Sequence, residues 1–313
     1  MDNQNLIVSV SPHIRTARST RSLMLEVIFA LLPAAAVGVV FFGLYALALL
    51  LSTTAAAVLF EYLYNRLTKK PLTIGDCSAA LTGLLLAMNL PATTPIWQAV
   101  LGAAIAIVIV KMLFGGLGYN FANPAITARI ILMIAFTDSV GAAVFPRGVD
   151  LVSTATPLAE LKTGSMPSVS LLDLFLGRCG GALGETCALA LLIGGVYLIA
   201  RKIITWHTPV AFIGTVFLGS YLRTGTIEGA LAYTLSGGLF LGAFFMATDY
   251  VTTPSTKWGR TIFGFGCGLL TLLIRFYGAY PEGVSFSILL MNILTPYIEH
   301  WTLERPRGGV AHE

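Results

Sequence analysis

The stretch Asp150-Leu-Val-Ser153-Thr154-Ala155-Thr156-Pro157 sets an acid and three hydroxyls in the longest polar interval of an otherwise apolar chain. Hydroxyl side chains led by a carboxylate add nothing to stability in a bilayer, so the segment reads as a site of chemistry. Two further constellations could act on ligands. Asn120-Phe-Ala-Asn123-Pro124, followed by Arg129, is a polar break that can cap a helix and offer its positive end to an anion, either as a cap alone or as a phosphate seat. Asp249, beside Thr252-Thr253-Pro254, is an ionisable group at membrane depth next to a break, suited to cation passage or to a polar head group.

The elements that must hold these residues are long apolar runs. Of 313 residues 11% are charged and 56% hydrophobic, and the mean hydropathy is +0.82. Such runs match a hydrocarbon core about 30 Å thick and predict an all-α, polytopic membrane protein. The first run, preceded by Arg15, Arg18 and Arg21, is not read as a cleaved leader, because a second apolar run begins at once. Cys77, Cys179, Cys187 and Cys267 form no C-x-x-C pair, which speaks against a zinc or iron–sulfur ligand set. The net charge of +4 comes from residues at the ends of apolar runs and not from a stripe, so no nucleic-acid partner is expected.

Ten spans are predicted, near 23–42, 44–64, 75–90, 96–114, 124–137, 183–200, 207–222, 229–248, 260–277 and 284–303. With both termini in the cytoplasm, twelve Lys and Arg fall on inner segments and four on outer ones. That bias follows the rule of positive cytoplasmic loops and places 138–182 outside. Lys111, Arg129 and Arg275 remain at membrane depth. An internal echo divides the spans: Ala92-Thr-Thr-Pro95 resembles Val251-Thr-Thr-Pro254, each after a glycine-bearing helix. Five spans per half make the repeats antiparallel, an arrangement whose working site lies at the mutual interface. The expected organisation is a tail 1–22, a first five-helix repeat 23–137, an outer loop 138–182, a second repeat 183–303 and a tail 304–313. Gly180/Gly184, Gly238/Gly242 and Gly264/Gly268 are read as close-packing pairs, and the glycine run at 264–268 as no dinucleotide fingerprint.

Ser11-Pro12-His13-Ile14-Arg15, the run Gly115 to Pro124, the Asp150 to Thr156 turn and Thr252-Thr253-Pro254, in this order over essentially the whole chain, resemble the D subunits of Rnf electron-transport complexes. The related B subunit of sodium-translocating NADH:quinone reductase shares the last three. The resemblance implies that Thr156 is esterified to the phosphate of FMN, delivered from FAD by a flavin transferase. Asp150, Ser153, Thr154 and Ala155 are then the recognition positions, with Thr154 standing where the family pattern has Gly. It also implies non-covalent riboflavin as a second flavin, partner membrane and peripheral redox subunits, and Na⁺ or H⁺ movement coupled to electron transfer between ferredoxin and NAD. The chain would be one relay of a translocase-type oxidoreductase in a bacterial or archaeal cytoplasmic membrane, not catalytic alone. Asn120, Asn123 and Arg129 become flavin contacts in this reading, and Asp249, Thr252 and Thr253 an ion path. The rival expectations are an inverted-repeat channel or transporter without redox function, and a scaffold.

Overall fold

The computed structural model describes residues 18–141, 144–146, 156–278 and 282–303, and among these every regular element is helical. In chain order they are α1 (Thr20–Phe42), α2 (Leu44–Leu67), α3 (Ser78–Met88), α4 (Ile96–Met112), α5 (Pro124–Ala135), α6 (Pro157–Lys162), α7 (Leu171–Leu176), α8 (Ala188–Ala200), α9 (His207–Thr224), α10 (Ile227–Leu235), α11 (Leu239–Met246), α12 (Lys257–Tyr277) and α13 (Val284–Thr302).

Local chemistry fixes where these helices begin and turn. Ser19, Asn123, Thr156, Thr226 and Thr256 each accept a hydrogen bond from a backbone N–H in the first turn of α1, α5, α6, α10 and α12. Such caps satisfy donors that have no partner inside the helix. Pro124 and Pro157 follow two of them at the first helical position, where a missing N–H costs nothing. Gly43, at φ +88°, makes the corner between α1 and α2.

α1, α2 and α12 are each long and apolar enough to cross a membrane, and α10 with α11 makes a fourth such span if the pair, bent by 66° at its break, is counted as one. α3, α4, α5 and α8 are apolar but shorter, at 10–17 residues. Eleven residues of helix, as in α3, rise about 16 Å, half of a hydrocarbon core. The number of clear crossings is therefore smaller than the ten expected, although each predicted interval carries helix. The segment expected to be a loop at 138–182 contains α6 and α7.

The main core runs through α1 to α5, α8, α9 and α11 to α13, with α1 packed on α8, α9 on α12, and α13 on both α12 and α5. A second small cluster, Leu158, Leu161, Leu174, Cys179, Ala232 and Tyr233, fastens α6 and α7 to α10. The Tyr233 hydroxyl donates to the Leu161 carbonyl at 3.0 Å, holding α6 in place. Small residues sit where helices touch. A Cβ on Gly264 would lie 2.6 Å from the Thr208 carbonyl oxygen, and one on Gly268 2.6 Å from Thr215 Cβ, so the predicted packing pair is the seam of α12 against α9. Gly264→Val overpacks that seam and should destabilise the protein by about 1–3 kcal/mol, read as a lower unfolding temperature in detergent, with Gly214→Val on the open side of α9 as the comparison.

Candidate functional site

Thr156 caps α6, its Oγ1 accepting from Ala159 N at 3.3 Å. Thr156 lines a cleft of about 290 Å³ shared with Cys179, Gly180, Glu185, Thr186, Gly237 and Glu282. Asp150, Ser153, Thr154 and Ala155, expected to form one motif with Thr156, lie outside the described residues. Burial pushes the Cys179 thiol up to about 12, which favours its protonated form. Among the described residues no group of three or more His, Cys, Asp or Glu could hold a metal ion, and all four cysteines are free.

Glu185 arrives in this cleft through a backbone latch. The loop before α8 hydrogen-bonds to the end of α3, Leu183 N to Leu90 O at 3.1 Å and Gly184 N to Met88 O at 2.7 Å. Only glycine fits at 184, because a Cβ there would lie 2.6 Å from Met88 Cβ. The carboxylate then lies on the break between α10 and α11, where a Cβ on Gly238 would be 2.6 Å from Glu185 Oε1.

Arg129, on α5, is 6% exposed and gathers the cleft's charges. Its Nη1 donates to Glu185 Oε1 at 2.7 Å, to Asn89 Oδ1 at 2.8 Å and to Ser285 Oγ at 3.1 Å, and its Nη2 donates to Glu282. Of the two alternatives, a cap or a phosphate seat, the cap is the one seen: the Asn123 side chain accepts from Ala125 N and Ile126 N, and Arg129 is ion-paired to two carboxylates. Arg275, 1% exposed, donates from Nη1 to Tyr233 O at 2.6 Å and from Nη2 to Ser236 O at 3.1 Å. It thereby satisfies carbonyls released where α10 ends, as a break inside apolar surroundings requires.

A second, larger cavity of about 760 Å³ is walled by α1, α3, α8 and α11 and contains Lys111, Asn120, Asn123, Asp249 and Tyr250. Its apolar walls and few convergent polar groups are those of a small-molecule site. Three predicted site residues, Asn120, Asn123 and Asp249, thus meet in one place. Thr252 and Thr253 do not line it. Thr252 Oγ1 bonds to Asp249 Oδ2 at 3.3 Å, and Thr253 Oγ1 to the Asp249 carbonyl, so both brace the turn that presents Asp249. Lys111, 2% exposed, pairs with Glu61 Oε2 at 3.0 Å and donates to Ser78 Oγ at 2.6 Å.

Arg129 stands between the two sites. Asn89, its partner, lies 3.6 Å from Met246 Sδ, and the Met246 carbonyl accepts from Asn123 Nδ2 at 3.4 Å, at the wall of the larger cavity. Sequence reading counted Glu61, Glu185 and Lys111 among the ionisable groups at or near membrane depth without assigning them to a site, and it did not single out Glu282 or Asn89. For Lys111 the signal was present, a lone cation in the apolar run Ile105–Met112. Glu282 offered none, since it stands in a short polar connection between α12 and α13.

An all-helical, membrane-embedded protein, with a broken span between one cleft and one cavity, is the class these features define. The family model described as "NQR2, RnfD, RnfE family" matches residues 7–308, and the chain belongs to that family. It is 50% identical over 313 residues to the D subunit of the Na⁺-translocating ferredoxin:NAD⁺ oxidoreductase complex of Acetobacterium woodii, covering 98% of this chain and 97% of the relative. It is 44% identical to the D subunit of the proton-translocating ferredoxin:NAD⁺ oxidoreductase complex of Clostridium ljungdahlii, with 94% of each chain covered. To the D subunit of the ion-translocating oxidoreductase complex of Escherichia coli K12 the identity is 36%, over 96% of this chain and 98% of the relative.

Removing one member of a buried ion pair leaves the other charge uncompensated. Arg129→Met should cost about 3–5 kcal/mol of stability, and the double substitution Arg129→Met with Glu185→Gln should cost less than the single one, measured by thermal unfolding in a double-mutant cycle.

Proposed function

We propose that this chain is the membrane-embedded D subunit of an ion-translocating ferredoxin:NAD⁺ oxidoreductase complex of the Rnf type, holding FMN in phosphoester linkage to Thr156 and passing electrons between neighbouring redox subunits. Full-length similarity to three D subunits carries the first part of this reading. Thr156 in a cleft with buried polar side chains supports the second. In the attachment step, catalysed by a flavin transferase, Thr156 Oγ bonds to the riboflavin-side phosphorus of FAD. The pyrophosphate bond breaks, AMP leaves, and the hydroxyl proton passes to solvent. FMN so tethered supplies reversible electron storage, while its ring is not modified by the attachment. Pro157 and the α6 cap fix the tether point, and the apolar cluster beneath α6 and α7 holds that point against α10.

The larger cavity is our site for a second, non-covalent flavin of the riboflavin type, with Asn120 and Asn123 as polar contacts and Lys111 as a nearby cation. Asp249, braced by Thr252 and Thr253, is the group we assign to Na⁺ or H⁺ passage. Arg129 is assigned to the coupling of charges between the two sites and not to direct contact with a flavin phosphate. The whole lies in the cytoplasmic membrane with both termini inside and with membrane and peripheral redox subunits as partners.

Ten spans in two inverted five-helix repeats remain our reading of the architecture. Its support is positional. α1 packs on α8 and α5 on α13, which are the first and fifth helices of each half. The two Thr-Thr-Pro segments both fall between the third and fourth elements of their halves, counting α10 with α11 as one.

Two outcomes test the proposal. Wild-type protein should carry a flavin-fluorescent band in a denaturing gel and an intact mass raised by one FMN less one water; Thr156→Val should lack both, and a band that survives the substitution removes Thr156 from the role. Asp249→Asn should lower the cation-dependent rate of the assembled complex at least tenfold while leaving the Thr156 band in place; an unaltered rate takes Asp249 off the ion path.

A further inference from the structure

Glu185 and Glu282 reach one guanidinium from two connections between helices, the loop before α8 and the turn between α12 and α13. Arg129 donates to one oxygen of each, Nη1 to Glu185 Oε1 at 2.7 Å and Nη2 to Glu282 Oε2. The two carboxyl groups are also in hydrogen-bond contact with each other. An ionised carboxyl only accepts, so a hydrogen bond between two of them requires that one carries a proton. Glu185 Oε2 points the same way. It is buried and receives no N–H or O–H donor from the described residues. Buried polar atoms are almost always partnered, and a proton held between the acids is the partner this oxygen otherwise lacks.

The surrounding charges fit one proton for two acids. Two like charges sharing one site do not both ionise readily, and a single guanidinium balances only one of them. The other titratable groups facing the pair are Arg275 on α12 and Cys179 after α7. Arg275 commits both Nη atoms to the carbonyls of Tyr233 and Ser236. Burial favours the protonated Cys179 thiol, so no second anion competes for Arg129 from that side.

We propose that Glu185 and Glu282 share a single proton over Arg129 and form a proton-exchange site of the Thr156 cleft, loaded and unloaded through Glu282. The side chain of Glu185 is 1% exposed and that of Glu282 27%, so one acid is shielded while the other meets water. In the exchange a hydronium ion gives its proton to the ionised carboxylate and leaves as water, and no bond within the chain breaks. Resting on the reading that Thr156 carries FMN, the site has a use in electron transfer. An electron entering the tethered ring from a neighbouring redox subunit adds negative charge near the cleft. The ionised half of the pair then takes up a second proton from water, one proton for one electron.

Infrared spectroscopy of the full-length protein in lipid nanodiscs reads the carbonyl stretch of a protonated carboxyl. The first measurement uses Thr156→Val protein, in which flavin plays no part, alone and with Glu185→Gln, Glu282→Gln or Glu26→Gln added. At neutral pH a carboxylic-acid band that moves in heavy water should vanish in Glu185→Gln and in Glu282→Gln alike, because the remaining acid then has Arg129 to itself and ionises. Glu26→Gln, which breaks the exposed ion pair with Arg201, should keep it. A band lost in one variant but kept in the other belongs to a single buried acid and overturns the sharing. Spectra of both variants that match their parent overturn the site, and a band that does not move in heavy water overturns the exchange. If Glu185→Gln does not fold, Glu185→Asp, which keeps the acid but withdraws it from Glu282, takes its place with the same expectation. The second measurement is the reduced-minus-oxidised spectrum of flavinylated wild type, which should show a gain of carboxylic acid that Glu282→Gln lacks. No such gain, with the first result intact, overturns the coupling to electron transfer alone. Wild-type protein without flavin on Thr156 overturns the tether and leaves the first result standing.

Discussion

A buried guanidinium must find acceptors for its donors, and much of this structure is arranged around that constraint at Arg129. Its partners come from three separate segments: Asn89 at the end of α3, Glu185 before α8, and Glu282 and Ser285 at the start of α13. The charge therefore ties the two halves of the chain together at one point. An uncompensated buried ion costs several kcal/mol, so the loop before α8 and the start of α13 are required where they are by electrostatics as much as by packing.

The second constraint is the interrupted helix between α10 and α11. Breaking a helix in apolar surroundings frees carbonyls that need donors, and here Arg275 supplies them. The glycines at the break do a different job. Gly237 takes a positive φ of +72°, and Gly238 leaves the space in which the Glu185 carboxylate lies. One arginine thus repairs the break, and the other holds the acid that the break admits.

Arg129 stands between sites of different chemistry. The Thr156 cleft is small and carries the Glu185 and Glu282 carboxylates; the cavity at Asp249 is larger and mainly apolar. The chain Glu185, Arg129, Asn89, Met246, Asn123 connects them through contacts of 2.7–3.6 Å.

Much of this was legible in the sequence because it depends on neighbours along the chain. Each of the ten apolar runs carries helix, Asn123-Pro124 announced a helix start through capping chemistry, and Gly264 with Gly268 marked a seam, whereas the helices α6 and α7 in the polar interval were not foreseen. The motif resemblance identified the family, which the family model's match over residues 7–308 then showed. What the sequence could not give were partners far apart in it. Glu185 lies 56 residues from Arg129, and Glu282 lies 153 from it, and no local pattern links them. Lys111 and Glu61, 50 residues apart, are invisible as a pair for the same reason. Helix starts and seams are decided by hydrogen bonds and contacts within one or two turns, so residue order alone determines them. The desolvation of a charge depends on everything that surrounds it in space, and only the tertiary structure decides which acid answers which base.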